Sequence, residues 1–116
     1  MSDSNRMKRV DEQLKEEISK IIDQEIQDPS FTGMVSVSKV KTTPDLRYAR
    51  VFVTMLGCKS QKDNLAVLKK SSGYIRSLIA KRVNLRLTPE LVFEFDESIE
   101  YGAKIDKILK DMHLGQ

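Results

Sequence analysis

Met7, Val10, Leu14, Ile18, Ile21, Ile22 and Ile26 recur at intervals of three and four. That spacing lines one face of an α-helix. A chain that opens this way must set a second layer against the stripe, because one amphipathic helix has nothing of its own to bury against. The helix is predicted to stop at Asp28-Pro29, since the residue before a proline is pushed out of the α region. Lys8, Asp11, Glu12, Lys15 and Glu16 occupy its other face and read as a solvated surface.

The second layer is a sheet. Residues 34–41 (MVSVSKVK) are rich in β-branched side chains and alternate imperfectly. Residues 48–56 (YARVFVTML) put Ala49, Val51, Val53 and Met55 on one face and Tyr48, Arg50, Phe52 and Thr54 on the other. Thr42-Thr43-Pro44-Asp45 between them has the chemistry of a turn, so the two strands are expected to form an antiparallel hairpin. A third strand, 90–96 (ELVFEFD), alternates with Leu91, Phe93 and Phe95 inward and Val92, Glu94 and Asp96 outward. Pro89 stands at its entrance, where proline is tolerated. The open sheet face is then expected to carry Tyr48, Arg50, Phe52, Glu94 and Asp96.

Between the second and third strands helical spacing returns. Ser60 can cap a helix reaching about Ser71, with Leu65 and Leu68 facing the core. Gly73 is expected to interrupt it, and a new stripe runs through Ile75, Leu78, Ile79 and Val83. Ser98 can cap a terminal helix carrying Tyr101, Ile105, Ile108, Leu109 and Met112. The predicted order is α-β-β-α-α-β plus a C-terminal helix. This is an α+β domain with a three-stranded sheet and helices on one face. No repeat or linker divides residues 1–116, which are expected to form one domain with frayed ends at 1–5 and 113–116.

Charge is distributed unevenly along this frame. From Asn64 to Pro89 there are six basic residues and no acidic ones, and from Glu90 to Tyr101 five acidic residues and no basic ones. An acid-free basic stretch across helices is a footprint of phosphate binding. The same residues can also simply coat two surface helices. Ser71-Ser72-Gly73, lying between the two helical patterns, would open the second of them with unpaired N–H groups, which attract anions. Lys70 precedes these serines and Arg76 follows in the first turn. The candidate RNA-binding residues are Lys69, Lys70, Ser71, Ser72, Gly73, Arg76, Lys81, Arg82 and Arg86. Arg82 falls within the apolar arc of its helix, where its stem can pack.

Other classes find little support. Glu94 and Asp96 could form a carboxylate pair, but no histidine, second cysteine or phosphate-cradling loop accompanies them, so no catalysis and no cofactor are expected. Cys58 has no partner for a disulfide or a Cys-x-x-Cys metal site, and the only histidine, His113, lies near the end of the chain. Residues 1–6 lack the apolar region of a signal peptide, and no apolar run approaches the roughly 18 residues of a membrane span. A cytoplasmic protein is expected, with no membrane and no small-molecule substrate.

The element order resembles that of type II KH domains, without the Gly-x-x-Gly loop with which those clamp nucleotide backbone. More closely, the chain resembles the ribosome-binding factor A family, a KH variant with an Ala-x-Gly kink in place of that loop. The likeness runs through residues 9–10 (RV), 25–29 (EIQDP), 35–40 (VSVSKV), 44–53 (PDLRYARVFV), 72–77 (SGYIRS), 85–91 (LRLTPEL) and 95–98 (FDES). Ser71 stands where the family typically has alanine. The resemblance implies a monomeric assembly factor for late maturation of the small (30S) ribosomal subunit and 16S rRNA processing. It would act by binding rRNA on free, immature subunits. Two other readings compete with it: a protein-docking module using the open sheet face, and a KH-like binder of another RNA.

Overall fold

The computed structural model describes residues 2–97. The terminal helix expected from Ser98 and the frayed end expected at 113–116 lie outside the described residues. The order is α1 (Ser2–Glu25), β1 (Met34–Thr42), β2 (Tyr48–Leu56), α2 (Gln61–Arg82) and β3 (Glu90–Phe95).

Leu14, Ile18, Ile21 and Ile22 of α1 are buried, as the opening stripe requires. They pack on Val37, Val40, Ala49, Val51, Val53, Leu91 and Phe93 of the sheet and on Leu68, Ile75 and Ile79 of α2, forming one core on one sheet face. The sheet order is β1-β2-β3. β1 pairs with β2 antiparallel through the expected hairpin, and β3 lies parallel to β2, so α2 is the crossover between them. The register of β1 shifts between Val37 and Lys39. This bulge explains the imperfect alternation, because it lets Val37 and Val40 both face inward from opposite sides of an extra residue.

Two sequence expectations are overturned. The segment 61–82 is one helix, not two. Gly73 has no positive φ. A glycine in a helix interior costs about 1 kcal/mol relative to alanine. Breaking the helix there would pull Leu68 or Ile75 out of the core, and burying a side chain of that size is worth about 1.5–3 kcal/mol. The stripes on either side of Gly73 are in phase, so the unbroken helix wins. The second correction is Asp96. It is 4% exposed rather than outward-facing, and its Oδ2 accepts a 2.6 Å hydrogen bond from the Ser38 hydroxyl at the bulge.

The loops are held by side chains. Ser60 caps α2 as expected, its Oγ accepting from the Asp63 N–H at 3.1 Å. Asn64 is fully buried one turn later. Its Oδ1 accepts from the Thr32 N–H at 2.9 Å, and its Nδ2 donates to the Thr32 carbonyl at 2.8 Å. Gly33 follows with φ of 75°, and a Cβ there would lie 2.5 Å from the Leu56 carbonyl oxygen. Only glycine fits that close approach.

Candidate nucleic-acid interface

Helical geometry sorts the basic residues of α2. At about 100° per residue, Leu68, Ile75 and Ile79 face the core while Ala66, Lys70, Gly73, Ser77 and Lys81 form a column on the opposite side. All five of these are exposed, as are Lys69 and Ala80 beside them. The outward face of α2 therefore carries Asp63 in its first turn, Lys70 near its middle and Lys81 in its last turn, with Ala66, Gly73 and Ser77 between, so a ligand can approach the helix closely. Lys70 and Lys81 are separated by about 16 Å along the axis. Among the described residues neither lysine, nor Lys69, forms an ion pair within 4 Å of a carboxylate.

The remaining sequence candidates are distributed differently. Arg76 donates from Nε and Nη2 to the Thr88 carbonyl at 3.1 and 2.8 Å, tethering the connection into β3. Arg82 reaches α1, 3.7 Å from Glu25 and 4.0 Å from Glu17. Glu25 also accepts from the Tyr74 hydroxyl at 3.2 Å, which holds the phenol's pKa above its usual value. Ser71 and Ser72 are half-buried on the flank of the helix, and the Ser72 hydroxyl donates to the Lys69 carbonyl at 2.8 Å. No helix begins at Gly73, so the expected anion site on free N–H groups there does not exist. The true N-terminus of α2 already holds Asp63 in its first turn. Arg86 lies beyond the helix, in a groove beside the N-terminal half of α1.

The open sheet face has its own charge pattern. The Lys39 ammonium lies 4.7 Å, and the Arg50 guanidinium 5.0 Å, from the centre of the Phe52 ring. Arg50 also donates to both carboxylate oxygens of Glu94, at 2.6 and 2.9 Å. This pairing, ahead of any other influence, holds the Glu94 carboxyl below its ordinary range. Glu94 is thus engaged by Arg50, whereas Asp96 accepts from the Ser38 hydroxyl. Among the described residues no helix is long and apolar enough to cross a membrane.

A two-layer α+β domain with exposed lysines along the outward face of its crossover helix has the pattern of a small nucleic-acid-binding protein. Comparison with known proteins narrows that class. The sequence profile of the family Ribosome-binding factor A matches residues 6–109, and the chain belongs to this family. Ribosome-binding factor A of Caldanaerobacter subterraneus is 49% identical over 93% of this chain and 89% of its own length. The crystal structure of ribosome-binding factor A from Thermus thermophilus superposes with a TM-score of 0.69 at 24% identity, covering 77% of this chain and 93% of that one. The Thermus thermophilus factor as fitted into a cryo-EM map of its 30S complex matches with a TM-score of 0.61 at 25% identity, over 72% of this chain and 87% of that one.

Proposed function

We propose that this protein is a non-enzymatic assembly factor. It binds the free 30S subunit through 16S rRNA and assists late maturation and rRNA processing. Family membership supports the reading, together with the complex in which a relative is bound to the 30S subunit. The single observation that carries the contact is the outward face of α2 beyond Asp63, where exposed lysines stand with no carboxylate on the helix itself. Lys69, Lys70 and Lys81 meet backbone phosphates there, and Gly73 leaves room for close approach. Arg76 and Arg82 serve the fold instead, holding the β3 connection and α1 in place. Ser71 and Ser72 support the helix rather than the RNA.

The action is conformational. A protein that holds one rRNA conformer more tightly than its alternatives shifts the population toward it, by no more than that difference in affinity. The chain acts as a single, KH-like, cytoplasmic monomer with no cofactor. Sedimentation of a cell extract tests the assignment. The protein should travel with free small subunits and be scarce on 70S ribosomes. Recovery with large subunits, or only at the top of the gradient, would contradict it.

A further inference from the structure

At the end of the molecule where α1 begins, a groove of about 620 Å³ opens between that helix, the β1–β2 turn and the α2–β3 connection. Val10, Leu46 and Leu85 line it with apolar surface, and Arg6, Arg9 and Arg86 bring three guanidinium groups to it. Among the described residues no acidic one lines it. Two nearby acids are engaged elsewhere: Asp11 accepts the Thr42 N–H at 3.0 Å, and Asp45 accepts from the Thr43 hydroxyl and the Arg47 N–H. Glu12 stands three residues after Arg9, about 60° away around α1, and forms no ion pair with it within 4 Å. Among the described residues none of the three arginines forms an ion pair within 4 Å. Three guanidiniums without an ion pair among the described residues, gathered around a short apolar floor, repel one another and favour an anionic ligand.

We propose that this groove is a second RNA-contact site, seating a single-stranded segment with a base against Val10, Leu46 and Leu85 and its neighbouring phosphates on Arg6, Arg9 and Arg86. Arginine suits the role, since its planar fork bonds phosphate oxygens in pairs and stacks on bases. The volume lies within the range of about 300–1,000 Å³ typical of sites for small ligands, room for a base and its sugar. A partner helix would need an apolar trough several turns long, which three aliphatic side chains rimmed by cations do not make. Arg86 follows Lys81 by five residues, so a strand running along the outward face of α2 can continue into the groove. The inference rests on the rRNA-binding reading above and extends it to a surface that the basic stretch of α2 does not include.

The test measures the affinity of the full-length protein for salt-washed 30S subunits and for protein-free 16S rRNA. Arg9→Glu with Arg86→Glu should weaken both at least tenfold at unchanged melting temperature. Arg9→Gln with Arg86→Gln should weaken them to a smaller degree. Wild-type affinity in both pairs of variants, while Lys70→Glu with Lys81→Glu loses binding, would overturn the groove and leave the rRNA reading standing. Weakened subunit binding with unchanged affinity for naked rRNA would overturn it too, since the groove would then dock a ribosomal protein. A wild-type protein that binds neither particle would sink both readings.

Discussion

Leu68 and Ile75 lie two turns apart on one uninterrupted helix, and both are fully buried in the same core. Gly73 sits between them on the opposite, exposed face, with open space where a Cβ would stand. Gly73→Ala should therefore stabilise the protein by about 0.5–1 kcal/mol, by restricting the unfolded chain and improving helix propensity. Denaturant titration reads this directly. A loss of stability would mean that the helix is broken at Gly73 after all. If RNA approaches the backbone at this point, the same variant should bind 30S subunits more weakly while being more stable.

Asn64 makes a second prediction. Its carboxamide satisfies both the N–H and the carbonyl of Thr32 from a fully buried position. Asn64→Ala leaves two backbone groups without partners and should cost about 2–3 kcal/mol. Asn64→Asp, almost the same in shape, keeps the acceptor but sets an oxygen against the Thr32 carbonyl, and should also destabilise. A chemical-denaturation midpoint equal to that of the wild type in both variants would refute the clamp.

Much of this architecture was legible in the chain. The alternation of Tyr48–Leu56, the Ser60 cap and the stripe of α1 each follow from a local period or a local hydrogen bond, and each stands as expected. Features that depend on a distant partner were not legible. Asp96 alternates as an outward residue, yet the bulge at Ser38 draws it inward. Asn64 reads as an ordinary polar residue of a first helical turn until Thr32 is placed beside it. At the candidate interface, helical phase alone put Lys81 outside. Only the fold shows that Thr88 holds Arg76 and that Glu17 and Glu25 hold Arg82. The glycine misled for a different reason. Its local cost is visible in one residue, whereas the gain that overrides it is shared by Leu68, Ile75 and Ile79.

The Arg50–Glu94 pair should leave a signature at acid pH. Arg50 lowers the folded-state pKa of Glu94, so the pair adds stability above the unfolded-state value, about 4.3 for glutamate. That contribution disappears as pH falls through the lowered folded value. Glu94→Gln should therefore narrow the difference in melting temperature between neutral and strongly acid solution. Both side chains are substantially exposed, so the effect should be small and should shrink in high salt. An unchanged acid profile in Glu94→Gln would show that the pair does not persist in solution.

The proposed contact between the outward face of α2 and rRNA phosphates is tested most directly by the salt dependence of 30S binding. Neutralising roughly four to six phosphates should make log K fall with log salt at a slope of about −3 to −5. Lys70→Glu with Lys81→Glu should flatten that slope and weaken binding at least tenfold while the melting temperature stays at the wild-type value. A slope near zero in the wild type, or a double variant that binds with the wild-type slope and affinity, would contradict the account.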